Sequence, residues 1–111
     1  PSKWLTPMSS SAAATLFDDM VGVAKGGTAT GIAIQGCTVG GKTGTAQLGT
    51  DPPKSHTWIM GFAGPPGKPP TVAVAVVVLN QSGGSEATGG GIAAPIAKAV
   101  LQTALAAQGG C

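Results

Sequence analysis

The residues best suited to chemistry lie in one segment, Gly40-Gly41-Lys42-Thr43-Gly44-Thr45-Ala46-Gln47, which is predicted to form a β-strand. Lys42 raises the positive potential beside an anionic ligand or a reacting nucleophile, and the hydroxyls of Thr43 and Thr45 can hydrogen-bond a carboxylate. Gly44 lets a ligand approach the backbone closely, and a free amide on a strand edge can donate to a developing oxyanion. The segment therefore predicts one wall of an active site.

The sequence lacks the motifs that would supply a serine nucleophile to such a wall. No serine is followed by a lysine three positions later, and Asn80, the single asparagine, has Val78 rather than a serine two positions before it. Acylation needs a hydroxyl activated by an adjacent base. We therefore expect the isolated chain to be catalytically inactive.

A phosphate-binding loop is the sharpest alternative, because residues 36–43 also fit the pattern G-x-x-x-x-G-K-[ST]. That chemistry places the lysine at the start of a helix, whose amides bind the phosphates. Gly44 and Pro52-Pro53 follow closely and disfavour a helix, and the valine-rich strand ends in Asn80 rather than in an aspartate that could hold magnesium. Nucleotide binding is therefore the remote alternative.

The elements that must position the segment follow from apolar periodicity. They are a helix at 7–25 with Thr6 as its N-cap and Pro7 at its first position, an extended piece at 31–35, the motif strand at 36–47, strands at 55–63 and 71–79, and a helix at 92–108. The turns between the strands are too short for a helical crossover. We therefore expect an α+β fold with an antiparallel sheet flanked by helices.

Several side chains outside the motif have structural interpretations. Trp58 and Phe62 alternate with other apolar residues and are predicted to lie in the core. The strand at 71–79 is apolar throughout, which predicts a central strand covered on both faces. His56 has no nearby carboxylate to orient it, so it is expected to face solvent or to be capped rather than to catalyse. Lys42 has a structural alternative, as an edge-strand lysine that deters aggregation.

Composition narrows the class of protein. Only 9% of the 111 residues are charged, against roughly 25% in an average soluble domain, so we expect apolar faces covered by another segment of the same parent protein. The six lysines are isolated from one another, which argues against nucleic-acid binding. Cys37 lies in a strand-like segment and Cys111 follows two glycines at the chain end, so no pairing is expected. A start at Pro1 without a signal-peptide pattern suggests a fragment.

Four ordered blocks resemble the C-terminal third of a class B penicillin-binding protein transpeptidase domain. They are Gly40 to Gln47, His56 to Ala63, Val72 to Asn80, and Ala93-Ala94-Pro95-Ile96-Ala97 at the start of the last helix. The preceding Gly26-Gly27-Thr28-Ala29 is similar to the family's Gly-Thr turn. The resemblance implies the β-lactamase/transpeptidase-like, or DD-peptidase, fold, with residues 1–111 as the C-terminal portion of a single domain.

The resemblance also implies roles for individual residues. Lys42 would be the lysine of the family's third motif, and Thr43 and Thr45 would bind the carboxylate of the substrate or β-lactam. The Thr45 amide would form half of the oxyanion hole. Gly44 would leave room for the acyl-D-alanyl-D-alanine stem, which would lie along this edge as an added strand. No cofactor or metal is implied.

At the level of the whole protein, the resemblance implies part of a serine-type peptidoglycan D,D-transpeptidase that cross-links stem peptides, with a role in cell division or cell shape. Its partners would be the N-terminal part that carries the serine, peptidoglycan stem peptides and β-lactams. It would act on the extracytoplasmic face of the membrane, with the anchor on the N-terminal part. A family member that survives as a non-catalytic sensor or binding module is the alternative.

Overall fold

The computed structural model describes residues 5–111 and contains two long helices and a three-stranded sheet. The elements are α1 (Ser10–Gly26), β1 (Thr38–Gln47), β2 (Lys54–Gly64), β3 (Val72–Ser82) and α2 (Ala94–Ala107). The strands pair antiparallel in the order β1-β2-β3. The predicted α+β arrangement and strand order along the chain are therefore confirmed. The chain start at Pro1 lies outside the described residues.

Helix α1 begins later than the sequence predicted. The hydroxyl of Ser9 accepts a hydrogen bond from the Ala12 amide at 3.2 Å and so caps the helix at Ser10. The predicted helix start at Thr6-Pro7 is therefore wrong. The N-cap is Ser9, three residues after Thr6, and its hydroxyl satisfies a free amide of the first helical turn.

The segment after α1 is a short 3₁₀ turn, Thr30–Ile32, so the predicted extended piece at 31–35 is wrong. The turn buries Ile32 completely. Its Cδ1 atom occupies the space where a side chain at Gly41 or Gly61 would lie. The turn is therefore favoured by burial of one isoleucine against two glycines of neighbouring strands.

Helix α2 covers one face of the sheet. Its buried residues are Ala94, Ala97, Leu101 and Leu105, and it packs against β2 and β3. The valines of β3 that point the same way are half-buried against this core. Together with the π-helical turn that precedes it, α2 forms the helical run Gly89–Ala107. Among residues 5–111 this run is the one helix that is long and apolar enough to cross a membrane, by length and composition only. Its inner face packs in this core.

The other face of the sheet is apolar and largely uncovered in the described chain. Trp58 is 45% exposed and lies opposite Val77, while Met60 is 57% exposed and lies opposite Ala75. The core prediction is therefore wrong for Trp58, and Phe62 is half-buried, stacked on Phe17 of α1 at a centroid distance of 4.9 Å. Large side chains point away from α2 because the even-numbered positions of β2 face outward.

Strand β3 is an edge strand of the described sheet and not the predicted central one. Alternate residues of β3 are half-buried and exposed, so one of its faces is covered rather than two. Leu79 is 56% exposed. The prediction failed because the central position belongs to β2, which pairs along its length with both neighbours.

Cys37 and Cys111 form a disulfide with a Cα–Cα distance of 5.5 Å, so the expectation that they do not pair is wrong. Gly109 and Gly110 adopt positive φ angles of 94° and 88°, and the Gly110 amide donates to the Leu105 carbonyl at 2.8 Å. These glycines turn the chain back at the end of α2. The turn places Cys111 beside the residue that precedes β1, 74 positions away in sequence.

Candidate active-site wall

The motif lies on β1, with Lys42 to Thr45 in the middle of the strand. Its partners in β2 are Met60, Ile59, Trp58 and Thr57 in turn. Within residues 5–111 the opposite edge of β1 has no neighbouring strand. The prediction of an exposed edge strand is confirmed. The phosphate-loop alternative is wrong, because it requires a helix to begin at the lysine.

Thr43 and Thr45 line a cleft of about 430 Å³ where three segments meet. These segments are the turn after α1, strand β1, and the start of the π-helical turn Gly89–Ala93. Five threonines and two glycines form its lining, which consists of Gly27, Thr28, Thr30, Thr43, Thr45, Thr88 and Gly90. The main property of this cleft is a neutral surface of hydroxyls, suited to donating hydrogen bonds to an anion.

Two glycines allow the π-helical turn to approach β1 and β2 closely. A Cβ atom at position 89 would collide with the Trp58 carbonyl and lie 2.9 Å from the Gly44 carbonyl. A Cβ at position 90 would collide with the Thr28 carbonyl. The turn is fixed at its start by Thr88, whose hydroxyl accepts from the Gly91 amide at 3.1 Å. The inner wall of the cleft is therefore backbone packed on backbone.

The turn after α1 contacts the motif strand through a hydroxyl pair. The oxygens of Thr28 and Thr43 lie 2.7 Å apart, within hydrogen-bonding distance. Thr28 is exposed and Thr43 is half-buried. Thr43 is thus already engaged with a neighbouring hydroxyl at the position where the sequence predicts a ligand contact.

Lys42 lies outside this cleft. Its side chain is exposed, and its ammonium donates to the Thr43 carbonyl at 2.8 Å. Strand alternation places Lys42 and Gly44 on the face opposite to Thr43 and Thr45. The structure therefore separates the predicted residues into a hydroxyl pair in the cleft and a cation beside the strand edge.

Gly44 has room for a Cβ within the described chain, since the nearest atom outside its neighbours would be the Trp58 Cβ at 3.4 Å. Contacts inside these residues therefore do not explain a glycine at this position. Its expected role, leaving space for a substrate stem, stays a prediction.

His56 links β2 to β3 and does not line the cleft. Its Nδ1 atom accepts a hydrogen bond from the Asn80 amide at 3.1 Å, and the β2–β3 register is irregular between Ser55 and Thr57. Asn80 has a positive φ of 55°. This contact fits the expected capping role of His56 rather than a catalytic one.

The family model described as the penicillin binding protein transpeptidase domain matches residues 4–102. The chain belongs to this family. The resemblance inferred from the motif blocks is thereby confirmed.

The names of similar proteins are consistent with membership of this family. The chain is 47% identical over 95 residues to the peptidoglycan D,D-transpeptidase PbpA of Mycobacterium tuberculosis and 45% identical to that of Mycolicibacterium smegmatis. Each alignment includes 84% of this chain, and the chain spans 19% of the length of these relatives.

Solved structures confirm the fold. The D,D-transpeptidase domain of a peptidoglycan glycosyltransferase from Eggerthella lenta matches 98% of this chain and 23% of its own, with a TM-score of 0.80 and 36% identity. Penicillin-binding protein A from M. tuberculosis, solved as a ceftriaxone acyl-enzyme complex, matches 86% of this chain and 21% of its own at 46% identity, with a TM-score of 0.69. The predicted transpeptidase-like fold is therefore confirmed, whereas the division of residues 1–111 as one C-terminal portion stays a prediction.

Sequence reasoning missed the other walls of the cleft. Thr28 belongs to the block similar to the family's Gly-Thr turn, and Thr88 to Gly90 lie between the predicted strand at 71–79 and the predicted helix at 92–108, so the sequence predicts a site role for neither segment. The available signal was the clustering of Thr with Gly in both segments. That pattern could not show that segments 15 and 45 positions away from Thr43 meet it.

Proposed function

We propose that this chain is part of a serine-type peptidoglycan D,D-transpeptidase that binds penicillin and cross-links stem peptides. The observation that carries the proposal is the placement of Lys42-Thr43-Gly44-Thr45 on an open strand edge beside a hydroxyl-lined cleft. Membership of the transpeptidase family supports it, as does the relative that was solved as a ceftriaxone acyl-enzyme.

In this proposal each motif residue has a distinct task. The hydroxyls of Thr43 and Thr45 bind the carboxylate of the donor stem or β-lactam, and Lys42 supplies positive potential to the anion and the reacting serine. Gly44 lets the stem lie along β1 as an added strand. The Thr45 amide donates to the oxyanion that forms when the carbonyl becomes tetrahedral.

The covalent steps use a serine on the N-terminal part of the protein. The serine oxygen attacks the carbonyl between the two D-alanines while its proton passes to a lysine base. The peptide bond then breaks, and that proton is transferred to the departing amine of D-alanine. An acceptor amine then attacks the acyl-serine ester, forms the cross-link and frees the serine. This chain contributes binding and charge stabilisation to both steps.

The uncovered face of the sheet offers a contact surface for the part of the protein that supplies the serine. The face formed by Trp58, Met60, Val77 and Leu79 is apolar and exposed in the described residues. Exposed apolar surface of this kind marks a face that another protein segment covers. We assign it to the N-terminal part of the same transpeptidase.

The proposed site of action is the extracytoplasmic face of the cell membrane, with the anchor on the N-terminal part. The Cys37–Cys111 disulfide supports this placement, because disulfides form and persist in oxidising compartments outside the cytoplasm. A role in cell-wall growth during division or shape maintenance is part of the same proposal.

The test is acylation by a labelled penicillin, followed by intact mass spectrometry. The chain alone should form no adduct, and the chain combined with its N-terminal part should form a stoichiometric one. An adduct on the isolated chain would show that the nucleophile has been misassigned. An N-terminal part without a Ser-x-x-Lys helix, together with no adduct in the complete protein, would support a non-catalytic binding module instead.

A further inference from the structure

We propose that Thr28 is a positioning residue for carboxylate recognition, and that it acts by donating a hydrogen bond to the Thr43 hydroxyl. The inference rests on the proposed function, in which Thr43 binds the ligand carboxylate. The observation behind it is the distance of 2.7 Å between the hydroxyl oxygens of Thr28 and Thr43. Thr28 belongs to the turn after α1, so this contact joins a second segment of the chain to the motif strand.

Hydrogen-bond accounting fixes the direction of the contact in the bound state. A threonine hydroxyl has one proton to donate and can accept through its lone pairs, whereas a carboxylate only accepts. When Thr43 donates its single proton to the ligand, it can still satisfy Thr28 only as an acceptor. Thr28 must then be the donor. Its proton holds the Thr43 hydroxyl in the orientation that points toward the anion.

The position of Thr28 is fixed by its neighbours on both sides. The amides of Gly27 and Ala29 both donate to the Val23 carbonyl, at 3.0 and 3.3 Å, and Ala29 is fully buried. Gly90 packs against the Thr28 carbonyl so closely that a Cβ there would collide with it. The Thr28 hydroxyl is therefore presented to Thr43 by an anchored backbone, and little further ordering is needed on ligand binding.

This arrangement predicts an effect that depends on ligand charge. A hydroxyl that orients Thr43 toward a carboxylate should matter for an acidic ligand and should matter little for its neutral ester. A role limited to holding the turn in place would affect both ligands alike. Selectivity between the acid and the ester is therefore the informative readout.

The experiment compares second-order acylation rates of the complete transpeptidase with a β-lactam acid and its methyl ester. We expect Thr28→Val to slow acylation by the acid about tenfold, the effect of losing one hydrogen bond to a group that binds a charge. The rate with the ester should stay within about twofold. Thr28→Ser, which keeps the hydroxyl, should restore the wild-type rate. Thr15→Val, which removes an exposed hydroxyl bonded within α1, is the matched control and should change neither rate.

A double-mutant cycle separates this proposal from a general effect on folding. In a Thr43→Val background, the further change Thr28→Val should have no added effect on the acid. Equal losses with acid and ester, no loss with either, or additive losses in the cycle would each overturn the role of Thr28. A wild-type protein that neither ligand acylates would instead overturn the proposed function itself.

Discussion

The two edges of the sheet have opposite chemical character. The β1 edge carries glycines, threonines and Lys42, and it lies beside a polar cleft. The β3 edge is valine-rich, and its outward residues are Ala73, Ala75, Val77 and Leu79. A long apolar edge promotes pairing with another chain, whereas the β1 edge offers hydroxyls and a cation to an anionic ligand. One edge is therefore suited to binding a ligand and the other to contact with the rest of the domain.

The largest effect is expected at the backbone packing behind the β1 edge. Gly89→Ala places a Cβ against the Trp58 carbonyl, and strand or turn must move. We expect a loss of more than ~3 kcal/mol in the free energy of unfolding, as for severe overpacking. Thermal or denaturant unfolding of the complete transpeptidase measures it.

Gly22→Ala is the matched control, because Gly22 lies in α1 with open space around its missing Cβ. This change should stabilise the protein by about 0.5–1 kcal/mol, the gain from alanine over glycine within a helix. Equal effects of the two substitutions would show that close packing at Gly89 does not support the site.

Removal of the cation tests the chemical role of the β1 edge. Lys42→Ala should lower the second-order rate of acylation by a β-lactam acid at least about 100-fold, because it removes the positive potential felt by both ligand and serine. Stability should change little, since the side chain is exposed. Lys68→Ala, an exposed lysine in the β2–β3 turn, should leave the rate unchanged. A change within twofold for both variants would mark Lys42 as an ordinary edge-strand lysine.

A charge on the exposed face of β3 tests whether this face contacts the N-terminal part. Val77→Asp should weaken association with the N-terminal part by about 2 kcal/mol, because a carboxylate would be taken out of water without a partner. Copurification of the two parts, followed by titration, measures the effect. Thr71→Asp, just before β3, introduces the same charge outside the apolar face and should leave association intact. Undiminished binding of the Val77 variant would remove this face from the interface.

The smallest expected effect belongs to a single hydroxyl of the β1 edge. Thr45→Val keeps the backbone amide and roughly the shape of the side chain but deletes the carboxylate-binding hydroxyl. Acylation by β-lactam acids should weaken by about 1–3 kcal/mol, the cost of an unpaired charged acceptor. Stopped-flow acylation rates decide it. If the rate with the acid stays within about twofold, Thr45 does not bind the carboxylate through its side chain.

Most of the local structure could be predicted from the sequence. The alternation of β2, the glycines that keep Lys42 out of a helix, and the apolar spacing of α2 each depend on residues within a few positions of one another. Errors arose where a local signal had two solutions, as at Thr6 and Ser9, which can both cap a helix. An apolar run such as β3 likewise does not reveal which strand of a sheet is central.

Local patterns were enough to predict the order of elements, the strand character of Lys42 to Thr45 and the family, because periodicity, glycine placement and motif spacing are carried by neighbouring residues. The folded chain alone shows that Thr28 contacts Thr43, that Gly89 and Gly90 close the cleft, and that Cys37 pairs with Cys111. These contacts join residues 15 to 74 positions apart. Their formation depends on strand register, on the turn at the end of α2 and on how closely backbones can pack, and no local pattern specifies those together.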